Sequence, residues 1–246
     1  MSTTHPPFDL DAARIDVWPL RLEAPAAVIE CFAAVLDAQE RARRDRFAFQ
    51  RLRDSFALSR GALRALLGRY LDIAAEDVAF RTGSKGKPCL RGDTNLRFNL
   101  SHSGGLGLFA FAREVEIGAD LEVFRPLADL GDIARRYFCR EEFEELMKLD
   151  ARQREDAFFL CWTRKEAYLK AVGNGLAAPL DSFRVTLEPG QEARMLHVED
   201  DSEAARRWTL HDLSVAPGFA AALAYKAAPR EIRLHPVREP ADLLGA

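Results

Sequence analysis

Val115-Glu116-Ile117-Gly118-Ala119-Asp120-Leu121-Glu122-Val123 alternates without a break. Val115, Ile117, Ala119, Leu121 and Val123 fall on one face, and Glu116, Gly118, Asp120 and Glu122 on the other. Strict period-two alternation marks a half-buried strand. Two strand-like runs precede it: residues 96–100, with Leu96, Phe98 and Leu100 on one face, and the continuously apolar residues 106–112. The short Arg113-Glu114 link predicts that the last two runs form a hairpin. Downstream, Arg125-Pro126 ends the strand pattern, and helical segments are expected over residues 133–149 and 156–172. The second stops at Gly173-Asn174-Gly175, a helix C-terminal signal. Residues 182–187, 208–214 and 219–225 read as strands. Upstream, residues 26–36 are apolar at helical spacing. Residues 40–71 read as one long helix, with Phe56, Leu63, Leu66, Leu67 and Tyr70 recurring at three and four. Each half thus offers helices followed by about three strands. The expected architecture is α+β: two similar lobes, residues 1–119 and 120–246, each a small antiparallel sheet packed with helices.

A chain of 246 residues with 48% hydrophobic and 30% charged residues is long enough, and ordinary enough in composition, to bury a core. A net charge of -3 argues against a nucleic-acid binder as a whole. Cys31, Cys89, Cys139 and Cys161 form no CxxC pair and have no histidine at zinc spacing, so they read as reduced side chains. Residues 1–10 carry neither a basic nor an apolar signal region, and no apolar run is long enough to span a bilayer. The expectation is a cytoplasmic protein without membrane or nucleic-acid partners.

Asp120 and Glu122 sit two apart on a strand and therefore project from one face. The plain alternative is a strand with a solvated outer face. Glu166 is more demanding. On a helical wheel it lies within the stripe formed by Phe158, Phe159, Trp162 and Leu169, where a lone carboxylate needs a cation, a metal or a proton. Lys170, one turn on, offers the alternative of a simple i,i+4 ion pair. Three carboxylates on two elements, with no soft ligand beside them, favour a hard cation such as magnesium, which takes a few carboxylates together with substrate phosphates. The inferred substrate therefore carries phosphates.

Ser101-His102-Ser103-Gly104-Gly105 follows the strand ending at Leu100, and its hydroxyls and imidazole are placed to bind a phosphate or to close a turn. Gly104-Gly105-Leu106-Gly107 matches no standard nucleotide loop. Lys85 and Lys87 flank Gly86 in a loop ahead of Pro88. Residues 41–69 hold nine arginines against Asp45 and Asp54, a basic segment suited to a phosphate or an acidic partner.

Together these motifs resemble the 4'-phosphopantetheinyl transferase superfamily, and more closely its larger, surfactin-synthetase-activating type. The resemblance is carried by Gly86-Lys87-Pro88, by Phe98-Asn99-Leu100-Ser101-His102-Ser103 and by Ile117-Gly118-Ala119-Asp120-Leu121-Glu122. Trp162-Thr163-Arg164-Lys165-Glu166-Ala167-Tyr168-Leu169-Lys170-Ala171 follows, then Gly173-Asn174-Gly175-Leu176 and Pro179-Leu180-Asp181-Ser182-Phe183. It implies a two-lobed, pseudo-twofold monomer with coenzyme A in the cleft between the lobes. By position, Asp120, Glu122 and Glu166 match the family's magnesium ligands, with manganese as a substitute. Lys87 and Pro88 match the edge of the adenine site, Ser101 and His102 the 3'-phosphate site, and Lys170 a lysine near the pyrophosphate. Arg51 is the best match for an arginine of the first long helix that reaches the 3'-phosphate, with Arg53 and Ser55 as alternatives. Glu40 stands where relatives have a basic residue.

The implied reaction is attack by a serine hydroxyl of an apo acyl or peptidyl carrier protein on the β-phosphate of coenzyme A, releasing 3',5'-ADP. Glu166 is the candidate base as well as a ligand, and Lys170 the second catalytic group. Two rivals use the same features: a magnesium-dependent phosphohydrolase acting on a nucleotide-like substrate, and a nonenzymatic binding module built on the arginine-rich helix.

Overall fold

The computed structural model describes residues 8–83, 87–173, 179–199 and 201–245. In chain order it contains β1 (Arg14–Arg21), α1 (Ala26–Ala34), α2 (Ala38–Asp45), α3 (Gln50–Leu71), β2 (Phe80–Thr82) and β3 (Pro88–Leu90). There follow β4 (Leu96–Ser103), β5 (Leu106–Arg113), β6 (Ile117–Val123), α4 (Leu130–Tyr137), α5 (Arg140–Lys148) and α6 (Ala151–Val172). The last strands are β7 (Phe183–Val185), β8 (Met195–Val198), β9 (Thr209–Asp212), β10 (Phe219–Tyr225) and β11 (Glu231–Leu234).

Two sheets organise the molecule. One has strand order β11-β1-β5-β4 and the other β6-β10-β9. All their pairings are antiparallel except that between β1 and β11. Apolar side chains of α3, including Leu58, Leu63 and Leu67, pack with Phe109 and Phe111 of the first sheet. Those of α6, including Phe158, Phe159 and Leu169, pack with Ala222 and Ala224 of the second. A third cluster lies between the sheets, where Val17, Leu108 and Ala110 meet Ile117, Leu121 and Leu223. The fold is therefore α+β, as the strand and helix patterns predict. A division at residue 120 falls inside β6, and β11 returns from the C-terminal half to pair with β1.

Several expected elements differ in detail. The hairpin joins β4 to β5, not β5 to β6. Gly104 and Gly105 supply the two positive φ angles, 54° and 77°, of a tight turn matched to strand twist. Glu114, at φ 67°, redirects the chain so that β6 pairs with β10 in the other sheet. The long helix expected over residues 40–71 is broken into α2 and α3. A capping box at Asp37 and Glu40 starts α2. Glu40 then bonds Arg60 and Arg64, 20 and 24 residues on, which requires α2 to fold back along α3. That pairing gives Glu40 a structural role: it is buried against both arginines. The segment expected as one helix over 133–149 is likewise two, with Phe138 and Cys139 extended between them.

Candidate active site

β6 and α6 bring the candidate residues together, and Gly118 permits the approach. A Cβ at Gly118 would lie 2.0 Å from the Ala167 carbonyl oxygen and 2.4 Å from the Ala171 nitrogen, so only glycine lets β6 lie directly against the α6 backbone. Two residues past Gly118 comes Asp120, and on the facing turns of α6 come Glu166 and Lys170. At the far end of α6, Gly173 closes the helix at φ 72°; the rest of the expected Gly173-Asn174-Gly175-Leu176 signal lies outside the described residues.

Lys170 Nζ bonds Asp120 Oδ1 at 2.6 Å and donates to Ser101 Oγ at 2.9 Å. Ser101 in turn donates to Asp120 Oδ1 at 2.8 Å. The i,i+4 alternative is thereby answered: the partner of Lys170 is Asp120, not Glu166. Asp120 Oδ2 is buried and has no hydrogen-bond partner. Glu122 Oε2 accepts from Ser103 Oγ at 2.8 Å and lies 3.7 Å from Arg125. Glu166 is half-buried, and among the described residues no cation lies within ion-pair distance of it. Burial pushes its carboxyl above the usual range, the charges of Asp120 and Glu122 add to the effect, and Lys170 opposes it. Among the described residues no three His, Cys, Asp or Glu side chains are already closed around a metal-sized point. Asp120, Glu122 and Glu166 nevertheless offer the kind of oxygen donors that a hard cation takes. One buried oxygen is unpartnered, and one carboxylate is destabilised by its like-charged neighbours.

The other predicted residues are more dispersed. His102 is exposed at the end of β4. Lys87 reaches across to β6, donating to Glu116 at 3.1 Å and to the Ile117 carbonyl at 3.0 Å. Pro88 opens β3 and, with Lys87, Arg81 and Phe98, lines a cavity of about 220 Å³. Gly86 and Lys85 lie outside the described residues. Arg51 is exposed on the first turn of α3, its guanidinium 5.9 Å over the Phe49 ring, and it bonds none of the other candidates. Arg53 instead donates to the Phe47 carbonyl.

Four contacts went unread in the sequence. Arg164 and Lys165, beside Glu166, are fully buried. Arg164 is paired with Asp212, and Lys165 Nζ lies 2.7 Å from Glu142. Both anchor α6 to the second sheet and to α5. Their signal was present: Arg164-Lys165-Glu166 occupy successive helix directions and cannot share one solvated face. Asn99 and Ser103 also contact β6, as the alternation of Asn99, Ser101 and Ser103 opposite Leu96, Phe98 and Leu100 would have indicated.

A model described as "4'-phosphopantetheinyl transferase superfamily" matches residues 116–224, and one described as "4'-phosphopantetheinyl transferase, N-terminal" matches residues 24–113. The chain is 37% identical over 222 residues to the 4'-phosphopantetheinyl transferase HetI of Nostoc sp., covering 89% of this chain and 90% of that one. It is 32% identical to the 4'-phosphopantetheinyl transferase psf-1 of Bacillus pumilus, covering 72% and 75% of the two chains. To the 4'-phosphopantetheinyl transferase Sfp of Bacillus subtilis it is 32% identical, covering 64% and 69%. With matched segments that meet just ahead of β6 and a relative aligned over nearly its whole length, the chain belongs to the 4'-phosphopantetheinyl transferase superfamily.

Proposed function

We propose that this protein transfers the phosphopantetheine arm of coenzyme A to a serine of an apo acyl or peptidyl carrier protein, with a divalent cation held by Asp120, Glu122 and Glu166. The observation that carries the cation assignment is the buried, unpartnered Oδ2 of Asp120 beside Glu122 and an uncompensated Glu166. Bound there, magnesium, or manganese in its place, would neutralise charge developing on the pyrophosphate. The carrier serine Oγ attacks the β-phosphorus, the bond from that phosphorus to the bridging oxygen breaks, and 3',5'-ADP leaves with the bond's electron pair. Glu166 accepts the serine proton. Lys170, oriented by Asp120 and Ser101, directs its ammonium at the pyrophosphate. His102 and Ser101 receive the 3'-phosphate with a helix arginine, Arg51 in the present reading. Lys87 and Pro88 border the adenine, beside the cavity they line.

We further read the β11-β1-β5-β4 sheet with α3 and the β6-β10-β9 sheet with α6 as two lobes, divided ahead of β6 and not at residue 120, with coenzyme A between them, in a cytoplasmic monomer. Among the described residues no helix is long and apolar enough to cross a membrane. The phosphohydrolase alternative draws no support from the relatives, whose names all specify phosphopantetheinyl transfer. Incubation with coenzyme A, magnesium and a panel of apo-carriers, read by intact mass, tests the proposal. At least one carrier should gain a single phosphopantetheine. Coenzyme A consumed while every carrier keeps its apo mass would overturn it.

A further inference from the structure

Strands β4 and β6 belong to different sheets and share no backbone ladder, yet they lie side by side. What joins them is a row of β4 side chains. Asn99 Oδ1 accepts from the Ala119 N–H at 3.0 Å, in a buried environment. Ser101 donates to Asp120 Oδ1 at 2.8 Å. Ser103 donates to Glu122 Oε2 at 2.8 Å, and its oxygen accepts from the Val123 N–H at 3.2 Å. The contacts repeat one pattern. On each carboxylate a β4 serine occupies one oxygen, Oδ1 of Asp120 and Oε2 of Glu122. The opposite oxygen is left without a hydrogen bond to protein among the described residues. Lys170 adds its ammonium to Ser101 and to the same Asp120 oxygen, and Arg125 lies 3.7 Å from the Glu122 oxygen that Ser103 holds.

We propose that Asn99 and Ser103 are positioning residues that set the two β6 carboxylates for the cation without touching substrate. This rests on reading Asp120 and Glu122 as the cation site. The physical argument is one of orientation. A glutamate on a strand has several rotamers, and a hydroxyl that donates to one oxygen selects among them while turning the other outward. The same hydroxyl accepts from Val123 N–H, so the side-chain geometry is tied to the β6 backbone. Asn99 satisfies an amide on the edge of β6 that no neighbouring strand pairs and that would otherwise be a buried donor without an acceptor. Partners that orient ligands in this way typically contribute about 10–100-fold to metal affinity or activity.

The test uses the full chain with Ser103→Ala, Ser103→Thr and Asn99→Ala. Four readouts are needed: manganese affinity by electron paramagnetic resonance without substrate, kcat and KM for coenzyme A, amide exchange by NMR, and thermal unfolding. Ser103→Ala should weaken manganese by about 10-fold and lower kcat to a similar degree, with KM for coenzyme A little changed. Ser103→Thr, which keeps the hydroxyl, should recover most of both. Asn99→Ala should release the Ala119 amide to exchange while amides of β5 stay protected. Unchanged manganese affinity and kcat in Ser103→Ala, or a lowered melting temperature as the sole defect, would overturn the proposal. If the wild-type protein binds no manganese, the cation reading itself fails. In that case a normal kcat in both alanine variants together with a still-protected Ala119 amide would overturn the positioning role as well. Should Asn99→Ala fail to fold, Ser103→Ala, at a half-exposed position, decides alone.

Discussion

Glu166→Gln is expected to lower transfer by at least ~100-fold, the scale of losing a general base, and saturating magnesium should leave the rate low. Glutamine keeps the volume and one carbonyl oxygen but removes both the charge and the ability to take the serine proton. Because Glu166 is half-buried and its carboxyl is pushed up by burial and by Asp120 and Glu122, neutralising it should also relieve like-charge repulsion. The variant should therefore be at least as stable as the wild type while being far less active. A purely structural carboxylate would behave in the opposite way, with stability lost and activity kept. The measurement is single-turnover transfer to an apo-carrier across a magnesium titration, with thermal unfolding alongside. Recovery of the rate at high magnesium would leave Glu166 as a ligand and eliminate it as the base.

Gly118→Ala is expected to be comparably damaging without altering any functional group. Its Cβ would sit 2.0 Å from the Ala167 carbonyl oxygen, and backbone cannot yield as a side-chain tip can. Either α6 or β6 must shift, and the pair Asp120–Lys170 spans that interface. A displacement of about 1 Å is enough for a ~100-fold loss of rate, and overpacking adds a stability loss of about 1–3 kcal/mol. Gly131→Ala is the control, since the nearest atom to its Cβ would be Met147 Sδ at 4.0 Å. Transfer kinetics and denaturant unfolding of the two variants give the comparison. Near-normal turnover in Gly118→Ala would mean that close packing of α6 on β6 does not set the site.

The elements legible in the sequence are those whose environment has a single repeating face. β6 alternates, β10 was read to within its observed bounds, and the periodic stripes of α3 and α6 mark real cores. β1 went unread for the opposite reason. From Ile15 to Leu20 it is buried throughout, so it shows no alternation, and Pro19 interrupts its propensity. β11 is short and takes its place from the parallel edge of β1, which no local pattern announces.

For the site, Asp120, Glu122, Glu166 and Lys170 could be named from position and periodicity, but their partners could not. Lys170 finds Asp120 across 50 residues, and Arg164 finds Asp212 across 48. Such pairings arise only once α6 lies against the β6-β10-β9 sheet. Helical spacing alone offered Glu166 as the partner of Lys170, and tertiary contact replaced it with Asp120. Ser101 illustrates the same limit. A serine at a strand end reads as a phosphate ligand or a turn former, whereas here its hydroxyl also links Asp120 to Lys170.

Whether the carboxylates gathered by β6 and α6 form one divalent-cation site is tested most directly by counting manganese bound in the presence of coenzyme A, by electron paramagnetic resonance, for the wild type and Asp120→Asn. Asparagine preserves the shape and an acceptor for Lys170 and Ser101 but removes the charge of the buried, unpartnered oxygen. The wild type should take up one ion per chain, and Asp120→Asn should lose it at the same concentrations while melting as a folded protein. Equal uptake and equal affinity in the two proteins would contradict the account.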